Sequence, residues 1–168
     1  MAIAQTLLPE FDHEMAGCRK SLERIPQNQF GYQPHPKSFT MSQLATHLAS
    51  IPSWLAGTMT TTEMDFADPE IRASIPAPAT TREALLELFD RGLAEGRAIL
   101  EKTSDADFAV IWSGKNAGQV VFAMPRIGVY RTMIMNHAIH HRAQLCVYLR
   151  MLNVPVPALY GPSADESN

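Results

Sequence analysis

The residues of this 168-residue chain best suited to chemistry are its six histidines, His13, His35, His47, His137, His140 and His141. A neutral imidazole offers a nitrogen lone pair to a proton or to a metal ion. His137 and His141 are four residues apart, so on a helix they differ by only about 40° around the axis. Ile127, Tyr130 and Ile134 precede them on the same stripe, and Leu145, Tyr148 and Leu152 follow. Both imidazoles therefore point where apolar side chains point. His47 does the same between Leu44 and Ile51. Three imidazoles on inward faces are costly unless their ring nitrogens find partners, and one divalent ion would serve all three. Three protein ligands with one position open is the catalytic pattern, whereas structural zinc sites close the fourth position with protein. The predicted ligands are His47, His137 and His141.

Other readings of these positions stand beside that one. His140, three residues after His137, is a rival to His141, about 60° to the other side of the stripe. A single core histidine bonded to a backbone carbonyl would give the same pattern at His47. Ala138, Ile139 and His140 fill the interval between the paired histidines, and without a glutamate there the zinc-protease mechanism lacks its general base. His13 falls off its helix's apolar stripe and His35 sits between two prolines, so neither receives a role. Gln144 could orient a ligand or merely cap the helix face. Tyr130 and Tyr148 either line a pocket or pack, and Trp54 reads as core. Arg142 calls for an acidic partner that the sequence does not identify. Cys146 lies about 140° from His141 and is poorly placed as a ligand. No catalytic side chain is assigned.

Four helices must position these residues. The first spans about residues 5–24, with Leu8, Phe11, Met15, Cys18 and Leu22 at helical spacing. The second opens at a capping box, Thr40 with Gln43, and Pro52 should kink it. Residues 57–79 read as a linker. The third begins at a second capping box, Thr80 with Glu83, and ends near residues 104–107. Two apolar runs around Ser113–Gly118 predict a small hairpin. The fourth helix is expected over about 125–152, with Pro125 in its first turn. The tail, 154–168, is expected to be irregular. The fold class is all-α: a single-domain four-helix bundle over 1–168 with a small β excursion before the last helix.

The composition is consistent with one globular domain, with 46% hydrophobic and 18% charged residues and a formal net charge of -3. No dense basic block supports nucleic-acid binding, and no apolar run reaches the roughly 18 residues of a membrane span. No charged region precedes a short apolar stretch as in a signal peptide. Two cysteines in helical stretches read as thiols of a reducing compartment, so the expected location is the cytoplasm.

The run Met124-Pro-Arg-Ile-Gly-Val-Tyr-Arg-Thr-Met-Ile-Met-Asn-His-Ala-Ile-His-His-Arg-Ala-Gln-Leu145 resembles the last helix of the DinB superfamily. Ala45-Thr-His-Leu-Ala49 and the tail Val154-Pro-Val-Pro-Ala-Leu-Tyr-Gly-Pro-Ser-Ala-Asp-Glu166 resemble the same family, with Ala143 where many relatives carry glycine. The resemblance implies an up-down-down-up bundle, a homodimer, and a divalent ion on His47, His137 and His141, with Zn, Ni or Fe foremost and Cu also suited to imidazole. It also implies a metal-dependent enzyme of the thiol-dependent S-transferase type, with a low-molecular-weight thiol as cosubstrate and a small electrophile as substrate. The alternative is a non-catalytic, metal-stabilised bundle that binds a ligand or partner under stress.

Overall fold

The computed structural model describes residues 2–167. Helix α1 (Ile3–Glu23) buries Leu7, Phe11, Met15, Cys18 and Leu22. Helix α2 (Met41–Ser50) begins at the expected capping box: Thr40 Oγ1 accepts from the Gln43 amide while the Gln43 side chain accepts from the Thr40 amide. This satisfies two amides that no helical carbonyl can reach and fixes the rotation of the helix that carries His47. Thr40→Ala should lower stability by about 1 kcal/mol, read as a shift of the urea midpoint at unchanged slope. An unmoved midpoint would show the cap to be redundant.

Pro52 breaks α2 as expected, through a 3₁₀ turn at Ile51–Ser53, and α3 (Trp54–Thr60) resumes in a new direction. The turn lies against α5 (Arg82–Lys102), where a methyl group on Gly96 would stand 2.4 Å from the Pro52 carbonyl oxygen. Glycine is what permits this approach, and the approach aims Trp54 toward the site.

Residues 57–79 are not a plain linker. They complete α3 and form strand β1 (Glu63–Asp65) and the short helix α4 (Pro69–Ser74). The apolar side chains here are too few for a periodic signal, and β1 exists only because a distant strand pairs with it. The second start signal is also displaced by one residue. Thr81, not Thr80, caps α5 by accepting from the Ala84 amide, and its third helical position is alanine, so no capping box forms. The short helix α6 (Asp105–Ala109) leads into β2 (Ile111–Asn116) and β3 (Gln119–Pro125). The predicted hairpin is present, turning at Ala117 and Gly118, both with positive φ. It forms a sheet of order β1-β2-β3, with β1 parallel and β3 antiparallel to β2. The molecule is therefore mostly helical with a small three-stranded sheet, rather than wholly α with a lone excursion.

Pro125 caps the last helical stretch instead of lying inside it. Helix α7 (Arg126–Val129) passes directly through a π-helical segment, Tyr130–Met135, into α8 (Asn136–Met151). Helices α1 and α2 each pack against both α5 and α8, around a core that includes Phe11, Met15, Leu44, Leu48, Phe89, Tyr130 and Leu145. Among the described residues, no helix is long and apolar enough to cross a membrane. Cys18 and Cys146 are free thiols, and burial pushes the Cys18 thiol up to about 12.

The tail has no helix or strand but is held in place. Glu166 pairs with Arg24 and Asp165 with Arg150. Tyr160 donates to Glu14 Oε2 over 2.8 Å and lies beneath the Arg142 guanidinium. Arg142 thus finds the acidic partner the sequence could not name: Glu14, across the core, at 2.8 Å and buried like Arg142 itself.

Candidate metal centre

Helix α2 presents His47 and helix α8 presents His137 and His141 to a common point. One ring nitrogen from each lies within 4.8 Å of the others, and no second such group of potential ligands occurs among the described residues. Nε2 of His47 and Nε2 of His137 are 3.1 Å apart. Two nitrogens bound to one tetrahedral zinc would be about 3.3 Å apart. His47 meets the His141 ring edge-on, with centroids separated by 4.6 Å.

The protons on two of the rings follow from their partners. Nδ1 of His137 faces the Met133 carbonyl at 3.3 Å, and Nδ1 of His141 faces Gln144 Oε1 at 2.8 Å. Both oxygens can only accept, so each Nδ1 carries the hydrogen and each Nε2 keeps its lone pair. Locking the remote nitrogen in this way is what outer partners do at metal-binding histidines. The Met133 carbonyl belongs to the π-helical segment, so that local widening reaches the ligand set directly. Three neutral imidazoles and no carboxylate form a donor set suited to a borderline divalent ion such as zinc or nickel.

Burial pushes His47 down to about 4, with the neighbouring His141 and His137 adding to the effect. Burial likewise lowers His137 and His141. All three are unprotonated at neutral pH, as ligands must be. The unfolded chain takes up protons at these groups near the ordinary value of about 6.5, but folded His47 does so only near 4. Between those values the unfolded state binds more protons, so stability rises with pH. The metal-free protein should be fully stabilised above about 6.5 and lose stability as the pH falls toward 4. Urea midpoints across that window check this, and His47→Gln should flatten the slope. A pH-independent midpoint would contradict the prediction.

Other candidates fall elsewhere. His140 is exposed on the outer face of α8 and does not join the group. His13 and His35 are exposed as well. Tyr130 is fully buried, and its hydroxyl has no hydrogen-bond partner among the described residues. Tyr148 donates to the Phe39 carbonyl and meets Tyr32 edge-on, so it packs beside the site. Trp54, read as core, is instead half-buried and packs edge-on against His47 and His137, with centroids at 5.5 and 5.4 Å. It forms a wall of a cavity of about 490 Å³ that also touches His47 and His137. The β1–α4 segment and the sheet complete its lining with Met64, Ile71, Trp112 and Phe122. The apolar runs of the predicted hairpin hold Trp112 and Phe122, but no sequence signal placed them or Met64 and Ile71 beside the histidines, because none is periodic with the helix that holds those residues.

The fold and site together define a mostly helical protein with a three-histidine group, two of whose members, His47 and His137, line a largely apolar cavity. A sequence model of the DinB family matches residues 2–168, and the chain belongs to that family. Among solved structures it is similar to a DinB-like protein from Bacillus cereus ATCC 10987, at 22% identity and TM-score 0.69, covering 95% of this chain and 98% of that one. A DinB-like protein from Bacillus subtilis gives 17% identity and TM-score 0.70, covering 92% and 96%. A mycothiol-dependent maleylpyruvate isomerase shares the fold more distantly, at 15% identity and TM-score 0.57, covering 92% of this chain and 64% of that one. No curated protein sequence matches significantly.

Proposed function

We propose that this chain is a metal-dependent enzyme that holds one divalent ion on His47, His137 and His141 and transfers a small thiol onto an electrophile. The observation that carries this reading is the convergence of three neutral imidazoles, two with their remote nitrogens locked, beside an open cavity. A divalent ion there would supply Lewis acidity, bringing a thiol or water toward a pKa near neutrality. The chain's own residues do the rest. Met133 and Gln144 hold two imidazoles in the binding tautomer, Trp54 buttresses two of the rings, and Met64, Ile71, Trp112 and Phe122 supply apolar walls. A fold neighbour that depends on mycothiol supports a thiol as cosubstrate. The proposal includes an up-down-down-up four-helix arrangement, a homodimer and a cytoplasmic location.

A second reading is favoured by one observation: no carboxylate or amine lines the cavity to act as a general acid or base. A non-catalytic bundle stabilised by its metal would have that character. The test is metal content of untagged protein, followed by a screen of thiols and electrophiles with and without a chelator. Stoichiometric metal and chelator-sensitive transfer support the enzyme. Stoichiometric metal that raises Tm with no turnover supports the second reading, and no metal after reconstitution removes both.

A further inference from the structure

We infer that the body of the substrate, where it lies away from the three histidines, is uncharged and largely apolar. This builds on the proposed function by naming the substrate class of the same cavity. Eighteen residues line that cavity, and none is Asp, Glu, Lys or Arg. Most of its hydrogen-bond donors away from the histidines are also committed to the protein's own acceptors. Of the four hydroxyls on the lining, those of Ser50, Ser53 and Ser74 donate to the carbonyls of His47, Ser50 and Ile71. The Trp112 indole N–H donates to Thr61 Oγ1 at 3.1 Å.

The cations on the flanking elements do not line the cavity, and each has a partner elsewhere, although the buried Nε of Arg126 has none among the described residues. Arg126 donates to the Thr61 carbonyl, Arg72 to the Phe66 carbonyl, and Lys115 pairs with Glu63. An anionic group on the substrate body would lose its hydration and find no partner, a cost of several kcal/mol for a buried charge. A neutral apolar group would meet Trp54, Met64, Ile71, Trp112, Phe122 and Met133. The cavity volume of about 490 Å³ suits a small molecule.

The chain has two tryptophans, and both Trp54 and Trp112 stand on this wall. All of its tryptophan emission therefore reports on the cavity. The test uses 8-bromo-1-octanol and 8-bromooctanoate, matched chains whose bromine quenches indole emission and which differ in charge. Both are titrated into metal-free and metal-loaded protein, because a bound ion would itself attract a carboxylate.

The expected result is saturable quenching by the alcohol in both forms, with the carboxylate at least tenfold weaker on metal-free protein. Ile75, 67% exposed at the rim, provides the complementary variant. Ile75→Arg should strengthen carboxylate binding at least fivefold without strengthening that of the alcohol. Equal or tighter carboxylate binding by metal-free wild-type protein would overturn the inference. So would an absence of saturable quenching, or an Ile75→Arg variant with unchanged carboxylate binding. Metal-free protein that discriminates while no metal can be loaded would instead overturn the proposed function and leave the substrate class standing.

Discussion

Untagged His137→Ala protein is expected to emerge without metal under conditions in which the wild type carries close to one ion per chain. His47→Ala and His141→Ala should behave alike, because each removes one of the three proposed ligands. Losing an outer partner of a metal-binding histidine costs about 10–100-fold in affinity, so losing a ligand should cost more. Gln144→Ala should fall within that outer range, since it frees Nδ1 of His141 but leaves Nε2 in place. His140→Ala is the internal control and should keep its metal. The affinity series separates a metal centre from three core histidines that happen to meet. If all five variants carried the same metal as the wild type, the ion would sit elsewhere.

Glu14→Ala should be the most destabilising single change away from that centre, at about 3–5 kcal/mol. Arg142 is only 2% exposed and its guanidinium is always charged. Its partners are the Glu14 carboxylate, the Glu14 carbonyl at 3.1 Å and the Tyr160 hydroxyl. Removing the carboxylate leaves a buried cation with two neutral acceptors. Tyr160→Phe should cost less, about 1 kcal/mol, because the ion pair survives. Replacing both charges with apolar residues, Glu14→Leu with Arg142→Met, should recover most of the loss, since the desolvation cost disappears with them. Chemical denaturation of the four proteins reads this directly. A Glu14→Ala loss below about 1 kcal/mol would mean that the guanidinium finds water or another carboxylate. Gly17 constrains the same contact, because a methyl group there would lie 2.5 Å from a terminal guanidinium nitrogen of Arg142.

The convergence of His47, His137 and His141 could be read from the sequence because each replaces an apolar residue in a periodic stripe, and because the Thr40–Gln43 cap fixes the register of the helix that bears His47. The kink at Pro52 and the hairpin turn were legible for equally local reasons. The π-helical segment was not, because a wide turn changes the hydrogen-bond ladder without changing which residues are apolar. The Thr80 and Thr81 pair shows the resolution of such signals: two adjacent threonines offer the same chemistry, and only the backbone decides which one caps. The β1–α4 part of the cavity lining was invisible for a deeper reason. Strand β1 pairs with β2 some fifty residues away, Glu63 opposite Ser113, and nothing within three short residues declares a partner so distant. Trp54, read as core, does pack against the core while half-buried, and its second role on the cavity wall went unread on the same account.

The span between partners also bears on how the molecule assembles. His47 must wait for His137, 90 residues later, and Glu14 for Tyr160, 146 residues later. Closing loops of that length costs entropy before any contact repays it. During synthesis the first helix and the His47 helix emerge long before their partners, with apolar faces that nothing yet covers. Such a chain is expected to fold late and cooperatively and to rely on chaperones while it grows. The ion proposed for His47, His137 and His141 should be gathered only after the last helix has closed, which would make its capture a timestamp of completed folding.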